Sequence, residues 1–203
     1  MEVRDSYRTI DVANIYNQKI KKSTFISQVF PLGSQLEVSN ILEKVKKKYY
    51  DARHHPFAYK TGLGDINYRS SDDGEPAGSA GKPILETIEK YDLTNVLVIV
   101  SRYFGGVKLG VGGLRRAFFS SAEECLKSAK IITKYICEDI KLEFNYEFID
   151  NVMRLLEKEE IKITDNVSDE RVKLFCSVRL CKTEKIRKGL LNVTKGNIKI
   201  LKS

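Results

Sequence analysis

Residues 95–114 read Asn95-Val-Leu-Val-Ile-Val-Ser-Arg-Tyr-Phe-Gly-Gly-Val-Lys-Leu-Gly-Val-Gly-Gly-Leu114, and this stretch decides the fold. Val96 to Ser101 is a short, nearly continuous apolar run, the pattern of a strand buried on both faces. Glycines from Gly105 to Gly113 interrupt it. Beyond them Leu114, Phe118, Ala122, Cys125 and Ala129 recur at spacings of four, four, three and four, the stripe of an amphipathic helix. A buried strand, a glycine loop and a helix in succession predict a mixed α/β architecture.

Upstream, Thr24 to Pro31 reads as a strand. Residues 34–49 read as a helix: Ser34 and Glu37 are spaced as a capping box, and Val38, Ile41, Leu42, Val45 and Tyr49 share one face. Lys44, Lys46, Lys47 and Lys48 crowd the end of that helix, where cations suit its dipole. Phe57 and Tyr59, then Ile66 and Tyr68, alternate with polar residues around Gly62 and Gly64, a hairpin pattern. Ser70 to Pro83 is rich in glycine, proline and carboxylates and reads as a long loop. It leads into a helix with Ile84, Leu85, Ile88 and Tyr91 on its apolar face.

After Ala129 the pattern changes. Ile140, Leu142 and Phe144 alternate as a strand, and Ile149, Val152, Leu155 and Leu156 form a helical stripe. Ile161 with Ile163 makes a short strand, and residues 171–180 alternate strictly. Thr183 is placed to cap a helix bearing Ile186, Leu190 and Val193. Gly196 ends that helix, and Ile198 with Ile200 closes the order βαββαβ. This ferredoxin-like order predicts two domains, residues 1–130 and 131–203.

Composition narrows the function classes. The chain has 203 residues, 35 basic against 27 acidic, for a formal charge of +8. Counting through Lys130 gives 20 basic and 15 acidic residues, leaving 15 and 12, so the excess is +5 and +3 and neither half is a basic tail. The balance leans toward phosphate-bearing partners. No run approaches the ~20 apolar residues of a membrane span, and residues 1–10 lack the apolar core of a secretory signal. A cytoplasmic protein with no membrane partner is expected. Cys125, Cys137, Cys176 and Cys181 include no C-x-x-C pair and read as buried reduced thiols. With two adjacent histidines as the only imidazoles, no zinc site is expected.

Three groups of residues can carry chemistry. In the first, Gly105, Gly106, Gly110, Gly112 and Gly113 allow backbone amides to approach an anion at a helix start, with Arg102, Lys108, Arg115 and Arg116 beside them. The spacing is neither a Walker A loop nor G-x-G-x-x-G, which argues against a nucleotide hydrolase and a dinucleotide enzyme. Close turns and helix packing explain the glycines equally well. Arg102, ending a buried strand, is alternatively a partner for Asp72 or Asp73. The second group is Asp72, Asp73 and Glu75, able in principle to hold Mg²⁺ or move protons, although an Asp-Gly turn also accounts for them. The third is His54 with His55, which can titrate near neutrality. No catalytic residue is assigned in the primary reading. The alternative, a phosphate-directed hydrolase or transferase, would use Asp72, Asp73, Glu75 and His54.

Two long motifs, Tyr68-Arg-Ser-Ser-Asp-Asp-Gly-Glu-Pro-Ala-Gly-Ser-Ala-Gly-Lys-Pro-Ile-Leu85 and Asn95 to Leu114, resemble the signature region of the YigZ/Impact family. Ser23 to Ile26 resembles the family's Ser-x-Phe-Ile strand, Ala58-Tyr59 its Ala-Tyr element, and Asp51-Ala-Arg-His54 its Asp-Ala-x-His element. Pro56 stands where many members carry cysteine, which argues against cysteine chemistry there. The resemblance covers residues 8–130 strongly, and the tail from about 135 is similar to the C-terminal domain of the bacterial branch. It implies a first domain like domain IV of elongation factor G and a small-subunit ribosomal protein, and a second like the ferredoxin-like domains of that factor. It brings no established reaction and no cofactor. The partners it implies are RNA or the ribosome, or translation-regulatory proteins. The reading at this stage is a non-enzymatic, translation-associated module. A regulator acting only through protein contacts is a further alternative.

Overall fold

The computed structural model describes residues 5–63 and 65–202. Gly64, one of the two glycines expected at the hairpin turn, lies outside them, as do residues 1–4 of the segment judged to lack a secretory signal. The chain is mixed α/β, with three sheets and five α-helices among the described residues. It divides into two compact units. Tyr7–Lys134 forms one, and residues from Tyr135 onward form the other together with Asp5 and Ser6.

The first unit opens with β1 (Ser6–Ile10), which it holds from Tyr7 on, followed by β2 (Asn14–Ile20), β3 (Ser23–Pro31) and α1 (Glu37–Lys48). It continues with β4 (Phe57–Thr61), β5 (Asn67–Ser71), α2 (Gly81–Lys90), β6 (Val96–Tyr103), α3 (Val111–Ser128) and β7 (Ile131–Tyr135). Its main sheet has the order β2-β3-β6-β4-β5, and β6 lies at the centre. Every residue from Val96 to Arg102 is buried, as a strand covered on both faces requires. Val96, Val98 and Val100 face α2 and α3 in a cluster with Phe25, Ile84, Ile88 and Phe118. Leu97 and Ile99 face the other way, against Val38 and Val45 of α1. Phe25 and Phe118 meet edge to face at 5.2 Å, a pairing worth about 0.5–1.5 kcal/mol beyond burial.

Local chemistry departs from expectation at four places. The Ser34 hydroxyl caps nothing. The Glu37 amide donates to the Ser34 carbonyl, and the Glu37 carboxylate accepts from the Gly33 amide instead. The expected loop of residues 70–83 shortens to 72–80, because Ser70 and Ser71 pair with Ala58 and Phe57 while Gly81 begins α2. Strands β1, β2 and β7 were not expected. The alternating half-burial of β2 is that of an edge strand with few apolar residues. Only Cys125 and Cys176 are buried thiols, whereas Cys137 and Cys181 are exposed. Burial pushes the Cys125 thiol up to about 12 and that of Cys176 to about 11.

The second unit contains β8 (Cys137–Phe144), α4 (Ile149–Lys158), β9 (Lys162–Asn166), β10 (Val172–Arg179), α5 (Thr183–Val193) and β11 (Ile198–Lys202). Its antiparallel sheet runs β11-β8-β10-β9. Ile140, Leu142, Phe144, Val172, Leu174, Cys176 and Val178 form one face, packed on Val152, Leu156, Ile186 and Leu190 of the helices. Thr183 is the first residue of α5, and its hydroxyl donates back to the Arg179 carbonyl rather than capping the helix. Gly196, at φ 82°, supplies the left-handed turn after α5. Asp5 is held here. Its carboxylate accepts two bonds from Arg179, at 3.0 and 3.1 Å, and one from the Cys181 amide. Arg179 holds that carboxyl well below the usual range, and its guanidinium carbon lies 3.7 Å from the centre of the Tyr135 ring. No helix among the described residues is long and apolar enough to cross a membrane.

Candidate functional site: a cleft at the start of α3

The segment between β6 and α3 folds as an open loop. Gly105 lies so close to the Lys22 backbone that an added Cβ would stand 1.7 Å from its carbonyl oxygen. Gly110 precedes α3 at φ 70°, ψ 163°, a region essentially restricted to glycine. The helix has no side-chain cap and no acidic residue in its first turn. Its first amides lack intrahelical acceptors, so the positive end of its dipole faces outward.

Beside this helix start is a cleft of about 380 Å³ whose wall includes Arg53, His54, Glu75, Arg102, Phe104 and Lys108. Leu109, Gly110, Val111, Leu114 and Pro76 complete it. Of the residues expected to meet anions, Arg102, Lys108 and Gly110 thus line one surface. Gly105 and Gly106 belong to the same loop, and Gly112 lies in the first turn of α3. Gly113 and Arg116 line a neighbouring groove with Lys21. Arg115 turns toward α2 and pairs with Glu86.

Arg102 bonds neither Asp72 nor Asp73. Its Nη1 donates to both carboxylate oxygens of Glu75, at 2.8 and 2.9 Å, with both side chains buried. Glu75 reaches it because residues 72–75 form a turn, with the Glu75 amide donating to the Asp72 carbonyl. Asp72 accepts from the amides of Gly78, Ala80 and Gly81 at 2.8, 2.9 and 2.8 Å, and so holds the loop onto the start of α2. Asp73 accepts from the His55 amide at 2.8 Å and pairs with Lys46 at 3.1 Å. All three carboxylates therefore have partners within the fold. Among the described residues no cluster of His, Cys, Asp or Glu is arranged to hold a metal ion.

The two histidines differ. His54 lines the cleft, and its Nδ1 lies 2.7 Å from the Asp73 carbonyl oxygen. A carbonyl only accepts, so Nδ1 carries a proton and donates it to Asp73. His55 is buried, with Nδ1 2.8 Å from the Ser101 hydroxyl. Burial, the largest effect, pushes its imidazole below the ordinary 6.5, against the opposing pull of Asp73. The folded state thus disfavours the imidazolium. The neutral ring's contribution to stability is complete above about pH 6.5 and is lost as pH falls through the lowered folded value. The first unit should therefore melt at lower temperature as pH drops below 6.5, with a weaker dependence in His55→Gln. Equal slopes for the two proteins would refute this assignment.

The family comparison follows from these same residues. A family model described as the Impact N-terminal domain matches residues 21–126. The IMPACT family member YvyE of Bacillus subtilis (strain 168) is 30% identical over 191 residues, covering 94% of this chain and 88% of YvyE. The chain belongs to the Impact family. Its Impact segment contains the whole cleft wall, from Arg53 to Leu114. The IMPACT family member YigZ of Escherichia coli (strain K12) is 29% identical, with 91% of each chain covered. A solved structure titled as that of a hypothetical protein superimposes with a TM-score of 0.68 at 26% identity, over 99% of this chain and 98% of its own. In this Impact family chain, residue patterns missed two contributors to the cleft, Arg53 and Phe104. Arg53 was legible only as the variable position in Asp51-Ala-Arg-His54, and Phe104 only as the last side chain before the glycines.

Proposed function

We propose that this Impact family chain is a non-enzymatic module that binds structured RNA or the ribosome through the β6–α3 loop and the adjoining cleft. One observation carries the reading: an uncapped helix start opens beside exposed Arg53 and Lys108. Backbone donors at a helix N-terminus together with flexible cations are a phosphate-binding arrangement. The overall charge of +8 favours approach to such a partner. Arg102 and Arg115 are held by Glu75 and Glu86, so Lys108 and Arg53 rank above them as phosphate contacts.

Ribosome co-sedimentation and RNA binding at graded salt test the reading. Affinity should fall log-linearly with salt, with a slope of about −0.7 to −0.9 per phosphate contact. Lys108→Ala and Arg53→Ala should each reduce the slope by about one unit or less, whereas Arg115→Ala should leave it nearly unchanged. Absence of salt-dependent binding to either target, or wild-type slopes in both of the first two variants, would return the loop to a purely structural role.

A hydrolase or transferase reading rests on one favourable feature, a His54 ring that lines the cleft and is oriented by the bond from its Nδ1 to the Asp73 carbonyl. Against it stand the fold-internal partners of Asp72, Asp73 and Glu75. Turnover of a phosphoester panel with Mg²⁺, Mn²⁺ or Zn²⁺ that disappears in His54→Ala would favour this reading over the binding module.

A further inference from the structure

We infer that the cleft accommodates one unpaired nucleotide, with its base against Phe104 and its phosphate at the start of α3. The inference rests on the anion-binding reading above and specifies the ligand. A cleft of about 380 Å³ falls within the ~300–1,000 Å³ typical of small-molecule sites. Its wall divides into two chemistries. Lys108, Arg53 and the first turn of α3 supply positive charge and donors, while Phe104, Pro76, Leu109 and Val111 supply apolar surface.

Phe104 is 49% exposed and lines the cleft, so part of its ring is open to a ligand there. The ring is not loose, since the Arg102 guanidinium carbon lies 5.5 Å from its centroid, and the same guanidinium stands 5.8 Å from the Phe25 ring in the core. Arg102, 8% exposed, also forms part of the cleft wall, and its Nε has no hydrogen-bond partner. A buried donor left unpaired beside a cleft is a place for a ligand acceptor. A positioned aromatic next to cations is the pairing that stacks a base and holds its phosphate. Bases within a duplex are already stacked on their neighbours and offer no free face, so the cleft selects a base outside a helix. An acidic peptide would satisfy the cations but would gain little from the ring.

Fluorescence anisotropy and calorimetry on the full chain, at one salt concentration, test this with AMP and UMP, a single-stranded hexanucleotide, a blunt RNA duplex and a poly-glutamate peptide. The hexanucleotide should bind more tightly than the duplex. Phe104→Leu should weaken hexanucleotide binding by about 5- to 150-fold, the range for losing one stacked base, without altering the salt slope, and Phe104→Trp should retain it. Melting curves of both variants confirm folding. Free AMP or UMP binding as well as the hexanucleotide, and equally dependent on Phe104, assigns the cleft to free nucleotides. Weaker binding of the monomers assigns it to a strand. Duplex and single strand binding equally, unaffected by Phe104→Leu, would overturn the inference while leaving the RNA-binding reading intact. Tighter binding of the peptide than of any nucleotide would also overturn it. Loss of all RNA binding with Phe104-dependent AMP binding retained would overturn the broader reading alone.

Discussion

Replacing Glu75 with alanine should destabilise the first unit by about 3–5 kcal/mol, the usual cost of stranding one partner of a buried ion pair. The Glu75 side chain is 2% exposed and that of Arg102 is 10% exposed, so the guanidinium left behind is largely buried. Glu75→Ala removes both acceptors of Nη1 and leaves the positive charge between the rings of Phe25 and Phe104. Removing both charges together differs from removing one. Glu75→Leu combined with Arg102→Met should cost markedly less than Glu75→Ala alone, because apolar replacement of a whole buried pair is often neutral. Urea unfolding measures both. A loss below about 1 kcal/mol for Glu75→Ala would mean the pair behaves like an exposed salt bridge.

The second large effect is expected at Asp72. One carboxylate oxygen accepts from the amides of both Ala80 and Gly81, and the other accepts from Gly78. Ala80 and Gly81 are buried, and an unmet buried donor costs about 1–3 kcal/mol. Asp72→Ala should therefore cost about 2–5 kcal/mol and loosen the start of α2. Asp72→Asn should keep the two bonds to its single carbonyl oxygen and lose the third, with roughly half the effect. Hydrogen exchange localises the change. In Asp72→Ala the Ala80 and Gly81 amides should exchange faster than in wild type, while those of β6 follow only the global loss. Unchanged protection at both amides would refute the role of Asp72 in holding the loop onto the start of α2.

How much could be read beforehand follows from the range over which each residue acts. Val96 to Ser101 declared itself because burial on both faces leaves no polar alternation, and the α3 stripe did so because it repeats over five turns. The alternation of residues 171–180 gave β10 for the same reason. By contrast β2 is a polar edge strand whose half-buried positions carry Asn14, Tyr16, Gln18 and Ile20, so hydrophobicity barely marks it. At the cleft, the glycines and Lys108 were visible as types, yet the roles of the acidic loop were not. Asp72 acts on amides six to nine residues ahead, and Glu75 on an arginine 27 residues away. No local spacing rule reaches that far, so the alternative to an anion contact for Arg102 named Asp72 or Asp73, where the fold supplies Glu75.

Asp5 bears on the order in which the chain becomes complete. It belongs with the second unit, and its partner Arg179 lies 174 residues later. During synthesis the first unit's residues all emerge before that partner exists, so Asp5 must wait through 174 further residues for its two guanidinium bonds. A segment made ahead of the first unit therefore settles only after that unit has been made, and the second unit can close only when Asp5 and Arg179 are both available. A fragment beginning at Tyr135 would therefore lack a piece of its own structure, the Asp5 carboxylate that Arg179 and the Cys181 amide hold.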